Sequence, residues 1–522
     1  MKTALVTVSI LIFFVFALAP SLCLIGSGLS VDGHLSLQNF SLLLESQRQL
    51  GLLWHSIVVG SLTTLFASLI GIPFGAALAR FKLPLNGTMR VFYLVPVILP
   101  TYVIGIALTD RIRLSGLCGI VLILGLAYWP VIALFTEKGL RAVSRETEDA
   151  ALLLKSPMRV FTSILLPLAL PSILMGGLLV FIFAISDFGI PDLLSFTSNS
   201  SYQVFSSEIF YRWDKMRHSG EAAVAALPVV LICLGALFLI LRLEGKARRI
   251  SESSPFRPSR PNDPGRWTWW IVGAMILVLL GSVVIPFSSF YLWLRRAGGP
   301  GDIAGIVINS MRDTGPDALN SISSSLLAAT LMVGVGFFLA YAVERSSGWR
   351  RECLSYIVLL PLAFPAVLVG VGEIRFWNHP WNPLADAVYD QRPMLVLTYF
   401  ARFIPIAVLS LRSTMSQVAR SVEEASQMSG RGFLFTVKNV LLPLSWRGLW
   451  VAFILGYVLS MRELDTIAII GAGNNTLPFR IYSQIHTSRD VIIAAHCVVL
   501  ITTLLAPPLI YKLLVRGRVR IV

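Results

Sequence analysis

The chain has 522 residues, 55% of them hydrophobic and only 14% charged, with a formal net charge of +15. Soluble domains carry roughly 25% charged residues, so the polar side chains needed to cover a soluble surface of this size are missing, which excludes a soluble enzyme, a disordered chain and a repeat solenoid. The basic balance does not point to nucleic acid, because lysine and arginine beside membrane spans set orientation. The five cysteines form no CxxC pair and lie in or beside apolar runs, so they read as small packing residues.

A helix needs about 20 apolar residues to cross the hydrocarbon of a bilayer. In chain order the runs free of Asp, Glu, Lys and Arg are Thr3–Val31, Gln49–Ala79, Val91–Thr109, Leu114–Thr136, Val160–Ser186, Ala222–Leu241, Trp267–Leu294, Ala318–Val343, Cys353–Gly372 and Val491–Tyr511. Two more are interrupted: Pro393–Leu411 by Arg402, and Gly448–Met461 by running into Arg462-Glu463. The expectation is an all-α polytopic membrane protein of about twelve spans; a membrane barrel would alternate apolar and polar residues, and these runs do not. Lys2 before an apolar stretch containing Ala-Leu-Ala-Pro also suits a cleaved signal peptide, but the length of the run favours an uncleaved helix. With the N-terminus inside, lysine and arginine collect in the loops around Arg80, Arg141, Arg248, Arg350, Arg431 and Arg516, so both termini are expected in the cytoplasm.

The sequence is written twice. A shift of 265 lays Ser56 on Ser321, Gly71 on Gly336, Arg80 on Arg345, Pro96 on Pro361, Pro100 on Pro365 and Gly105 on Gly370. A shift of 276 then lays Glu148 on Glu424, Pro167 on Pro443 and Asp187 on Glu463. The Pro-x3-Pro-x4-Gly pattern breaks a helix wherever it falls, so its recurrence marks a duplicated architecture. The expected organisation is an extra leading span (1–31), a first five-span domain (45–243), a flexible basic linker rich in proline (244–266), a second extra span (267–295) and a second five-span domain (310–516). The halves share one orientation, as in parallel-repeat transporters with a pathway between repeats.

The segment Glu424–Pro443, EASQMSGRGFLFTVKNVLLP, mixes polar and apolar residues on the cytoplasmic side. It reads as a short helix, a turn at Gly430 and a second helix ending at Leu442-Pro443, lying along the membrane surface and offering side chains to a partner. An ordinary interfacial amphipathic hairpin has the same pattern.

Glu424, Ala425, Gly430, Leu442 and Pro443 resemble the EAA loop of binding-protein-dependent ABC import permeases. The first half repeats it as Glu148-Asp149-Ala150-Ala151 through Leu166-Pro167. Counting back from Pro167 puts Leu154 in the place of the glycine; counting on from Asp149 puts Lys155 there, one residue short of the usual interval. Arg462-Glu463-Leu464 and Leu477-Pro478-x-Arg480-Ile481-Tyr482 resemble the fused two-domain subgroup of ferric iron type, whose relatives include thiamine importers. The resemblance implies a type I ABC importer permease fold in the inner membrane of a bacterium. Each loop would then be a coupling helix in a groove of a separate cytoplasmic ABC ATPase dimer, with ATP and Mg on that partner and no cofactor on this chain. A periplasmic or lipid-anchored solute-binding protein would deliver cargo, iron(III) first and thiamine, phosphonate, sulfate or polyamine as alternatives. The chain has no G-x(4)-G-K-[ST] of its own, and Gly471-Ala-Gly473 lacks the lysine, so no phosphate-cradling loop is expected and the chain reads as a permease rather than an enzyme.

Asp187 and Glu463 end the fifth helix of each half, and Arg462 adjoins Glu463. They form either a polar ring at the outer mouth of a pathway or caps and ion pairs that fix helix ends. No HExxH, histidine cluster or CxxC marks a metal site. An ion-coupled secondary transporter would carry its charges at helix centres and lack paired docking loops; a membrane-embedded enzyme would need a nucleophile–base or metal constellation, and none is present.

Overall fold

The computed structural model describes residues 2–31, 34–36, 47–197, 202–214, 219–252, 261–297, 299–380, 382–389, 392–470, 475–485 and 490–516. Apart from a two-residue antiparallel pair, Ser30–Val31 with His34–Leu35, the regular structure of these residues is helical. Among the described residues ten helices are long and apolar enough to cross a membrane, or twelve if each of two bent pairs is one span. The bent pairs are Asn86–Ile98 with Thr101–Arg111, at 93°, and Gly348–Ala363 with Ala366–Trp377, at 95°. Both bends fall where the proline pattern places them. Leu99-Pro100 and Phe364-Pro365 have extended backbone, and Pro100 and Pro365 each precede the first residue of the outgoing helix. A proline cannot donate to the preceding turn and pushes the residue before it out of helical geometry, so the chain turns there.

The chain divides into two compact units. One contains Gln47–Glu208 and Leu231–Arg296, the other Met1–Ser46, Ile209–Val230 and Ala297–Val522. The extra spans are therefore exchanged: Lys2–Ser27 belongs with the second repeat, and Gly265–Arg296 with the first. In the second-repeat unit Phe16 stacks on Trp377 at 5.7 Å, and a Cβ on Gly372 would lie 2.9 Å from the Pro20 carbonyl oxygen. Only a residue without a side chain admits the leading span so close to the broken helix. In the first-repeat unit Ser289 Oγ donates to the Ala107 carbonyl at 3.0 Å and receives Arg111 Nε at 3.1 Å, tying Gly265–Arg296 to the other broken helix.

The expected linker is not featureless. The helix Ser219–Glu252 runs well past Glu244, because Lys-Ala-Arg-Arg-Ile are adequate helix formers and the prolines begin only at Pro255. At the far end of the linker Asn262 forms a short parallel bridge beside Phe81: its N–H donates to the Arg80 carbonyl at 2.7 Å and its carbonyl accepts Lys82 N–H at 2.9 Å. Residues 253–260 and the glycine cluster at 471–473 lie outside the described residues.

Candidate functional site

The two elbows have one construction. A short helix, Arg145–Leu152 or Arg420–Met428, follows a long span, and after a turn the chain rises through Pro157–Ser186 or Phe433–Met461. The second arm of the elbow does not end at the Leu-Pro pair, as the sequence suggested, but continues into the span. Pro167 and Pro443 cannot donate to the turn below, and the ladder slips by one residue there: Leu166 N–H reaches Phe161 O and Leu442 N–H reaches Val437 O, each closing a π turn.

The root of each elbow is buried in its own unit. In the first, Arg80 Nη1 meets Glu148 Oε2 at 2.6 Å and Nη2 donates to the Leu140 carbonyl at 3.1 Å, beside an apolar cluster that includes Ala151, Val160 and Leu165. In the second, Arg345 Nε donates to Glu423 Oε1 at 2.6 Å, Tyr341 OH donates to Glu423 Oε2 at 3.0 Å, and Phe433 packs edge-on against Tyr341. Val418, Val437 and Leu441 complete that cluster. The two arms are held together by apolar Ala151 and Val160 in the first elbow, and by the Ser426–Thr436 hydroxyl pair at 2.8 Å in the second.

This geometry fixes a register that the sequence left open. Arg80 and Arg345 correspond, so Glu148 corresponds to Glu423, not to Glu424, and Asp149 corresponds to Glu424. Glu148 and Glu423 face inward; Asp149, Ala150, Glu424 and Ala425 are exposed, while Ala151 is buried. Asp149 pairs along its own helix with Arg145 at 3.1 Å. Arg420, which corresponds to Arg145, turns instead to the Glu344 carbonyl at 3.2 Å, and among the described residues Glu424 forms no ion pair. The first elbow is one residue shorter, so Lys155 rather than Leu154 is level with Gly430 when counted from the acid.

That residue decides the turn chemistry. Gly430 has φ +71°, its N–H bonds to Gln427 O at 2.9 Å, and Arg431 N–H reaches Ser426 O at 3.3 Å. This is a Schellman ending, which places a left-handed residue after the helix. The shorter first turn closes with Leu154 and Lys155 N–H groups both on Ala151 O, and none of its residues has positive φ. The missing glycine is thus not a defect of the first elbow, whose path does not need one. The tips differ as well: Leu153 and Leu154 are each 86% exposed in the first, Met428 90% in the second.

Asp187 and Glu463 act as buried caps. Asp187 Oδ1 accepts Ile190 N–H at 3.0 Å, at the start of helix Gly189–Thr197, and Oδ2 accepts Thr101 Oγ1 at 3.3 Å just past the proline bend. Glu463 Oε1 accepts Thr466 N–H at 3.0 Å, opening helix Asp465–Ile470, and Oε2 pairs with Arg402 at 3.1 Å. Arg402, which interrupts the tenth apolar run, therefore has a counter-ion. Arg462 is half-buried. Glu423 and Arg402 were the partners hardest to name from sequence; the matching of Arg80 with Arg345 was the signal that a buried acid had to stand near each. Among the described residues no group of three or more His, Cys, Asp or Glu converges as a metal site.

The family model for inner-membrane components of binding-protein-dependent transport systems matches the chain twice, at residues 71–249 and 332–520, once over each elbow. The chain belongs to that family. It is a multi-pass inner-membrane permease of a fused two-domain ABC importer. The permease is 24% identical, over 85% of its length and 86% of the relative's, to the Fe(3+)-transport system permease protein FbpB 2 of Haemophilus influenzae. It is 20% identical to the ferric transport system permease protein FbpB of Actinobacillus pleuropneumoniae, over 87% of this chain and 69% of that one. The molybdate/tungstate transport system permease protein WtpB of Thermococcus kodakarensis is 30% identical over 36% of this permease and 75% of its own length.

Proposed function

We propose that this permease imports iron(III), received from a solute-binding protein on the outer face and driven by a separate cytoplasmic ATPase dimer that holds the ATP and Mg. Both termini face the cytoplasm, as the lysine- and arginine-rich loops indicate. The observation that carries the reading is the build of the elbows: each is rooted by a buried Arg–Glu pair and an apolar cluster, and each offers an exposed acid, Asp149 or Glu424, with large apolar residues at its tip. Such an element transmits force. A partner that grips the tip and moves displaces a rigid lever, because the root joins it to the long spans ending at Arg80 and Arg345. Ala150, Ala425 and Gly430 keep the gripping surface low, and Pro167 and Pro443 set the direction of the outgoing span. The cargo follows from the ferric relatives that span both halves; the molybdate/tungstate relative makes an oxyanion the second candidate.

Reconstitution tests this. Permease, ATPase and binding protein in liposomes should accumulate iron(III) only with ATP. Accumulation of molybdate or sulfate instead replaces the cargo, and accumulation by the permease alone on an ion gradient overturns the function.

A further inference from the structure

Each repeat ties the first turns of its leading core span to a later short helix, at the end of the span remote from the elbow. In the first repeat Ser56 Oγ accepts the backbone N–H of Phe205 at 2.8 Å, at the start of helix Phe205–Asp214, and Arg48 pairs with Glu208 at 3.0 Å. In the second, Ser321 Oγ accepts the N–H of Leu477 at 2.8 Å, at the start of helix Leu477–Gln484, and Asp317 pairs with Arg480 at 2.7 Å. Ser56 and Ser321 are repeat equivalents, and so are Glu208 and Arg480, each the fourth residue of its short helix. The acid has therefore moved from the short helix to the span and the arginine the other way, with the span partner one helical turn nearer the serine (Arg48 stands eight residues before Ser56, Asp317 four before Ser321), while the serine bond stayed fixed.

What has not been exchanged is exposure. In both joints the carboxylate is buried, Glu208 at 4% and Asp317 at 10%, while Arg48 is 60% and Arg480 34% exposed. In both joints the guanidinium, whichever element carries it, is the member that reaches water. A guanidinium has five N–H donors in a planar fork. Glu208 and Gln203 hold Nη2 of Arg48, and Asp317 holds Nη1 of Arg480, whose Nε is buried; the remaining terminal N–H groups of each fork are left for a second carboxylate.

We propose that Arg48 and Arg480, one in each unit, are docking points for acidic side chains of the solute-binding protein. This rests on the importer reading above, which puts the elbows inside. Arg48 and Arg80 stand at opposite ends of one helix, Gln47–Arg80. At about 1.5 Å per residue they are separated by roughly 48 Å, more than the hydrocarbon thickness of about 30 Å, so Arg48 lies on the outer face when the elbow is cytoplasmic. Glu208 and Asp317 are positioning residues that orient the two arginines.

The test uses the permease assembled with its ATPase in nanodiscs, titrated with the cognate binding protein at low and moderate salt. Arg48→Gln, Arg480→Gln and the double variant are compared with Glu208→Gln. Each arginine variant is expected to weaken binding about tenfold, the double variant further, with a shallower salt dependence. Arg48→Lys, which keeps the charge but not the fork, is expected between the two. Glu208→Gln, which takes the buried anchor from the fork but leaves Arg48 cationic, is expected to lose less than Arg48→Gln and to keep the parent's salt dependence. Co-purification of the ATPase reports that every variant is folded. The proposal falls if the double variant binds within twofold of the parent, or if Glu208→Gln loses as much as Arg48→Gln, which marks a joint and nothing more. It falls equally if binding-protein affinity is unchanged and only the cargo KM rises, which places the arginines on the solute. A parent permease that does not assemble with the ATPase refutes the importer reading instead.

Discussion

Replacing Glu423 and Glu424 by glutamine, one at a time, should separate anchoring from coupling in adjacent residues. Glu423 is buried, accepts from Arg345 Nε and Tyr341 OH, and balances a guanidinium whose side chain is 12% exposed. Glutamine has nearly the same shape but turns an amide donor toward Arg345 and leaves that charge without a counter-ion. Stranding one member of a buried pair costs about 3–5 kcal/mol. Because Arg345 also donates to the Val418 carbonyl at 3.0 Å and glutamine retains one acceptor oxygen, the lower end applies. About 3 kcal/mol is roughly a hundredfold change in an equilibrium constant, so local opening of helix Arg420–Met428 should become about a hundredfold more frequent. Hydrogen exchange of its amides, read by mass spectrometry, measures this directly. Glu424→Gln removes an exposed charge that forms no ion pair among the described residues, so exchange should stay within about 0.5 kcal/mol of the parent while ATPase co-purification and uptake fall. Joint replacement, Glu423→Leu with Arg345→Met, should recover most of the protection, since an apolar pair of similar volume is tolerated where an ion pair was buried. Faster exchange in Glu424→Gln than in Glu423→Gln would refute the assignment of anchor and contact.

Gly430→Ala should destabilise the second elbow by about 1–2 kcal/mol through its left-handed backbone alone, since no atom lies within 4 Å of the added Cβ; Leu154→Gly should bring the first elbow no gain, and the same exchange measurement reads both. Ser321→Ala leaves the buried N–H of Leu477 without its acceptor, at a cost of about 1–3 kcal/mol, and should speed exchange in helix Leu477–Gln484. Gly372→Val forces a side chain onto the Pro20 carbonyl, where overpacking costs about 1–3 kcal/mol, and should lower the thermal unfolding temperature in detergent. Glu463→Gln removes the counter-ion of Arg402 and should destabilise the protein in the same assay, whereas Glu463→Gln with Arg402→Leu should be milder than the single change.

Much of the architecture is legible because the bilayer imposes long apolar runs and because proline acts locally. The twelve runs, the duplication and both right-angle bends at Pro100 and Pro365 follow from residues that act within a few positions of themselves. The exchange of the leading spans is not legible, since an apolar helix fits the flank of either repeat and the choice rests on small contacts such as Gly372 against Pro20. The elbows were legible as elements but not in register. Glu423-Glu424 offers two acids side by side, and a one-residue difference in turn length cannot be placed by counting from either end. What places it is the pairing with Arg345, a contact 78 residues away along the chain. Asp187 and Glu463 are legible as helix ends, while the donors they accept from and the Arg402 partner depend on how the helices pack.

The traded charges at the outer joints also bear on how a duplicated gene keeps its two copies apart. Recombination that set the leading span of one copy beside the short helix of the other would bring the Arg48 span to Arg480, or the Asp317 span to Glu208, like charges within a helical turn of where an attraction had been. Such hybrids lose a bond and gain a repulsion at once. The serine contact would still form, so an ancestor with identical copies is easy to picture. Once the polarity had flipped, an exchange that split a copy between its leading span and its short helix would part the two members of a pair, whereas replacement of a whole copy would carry both together.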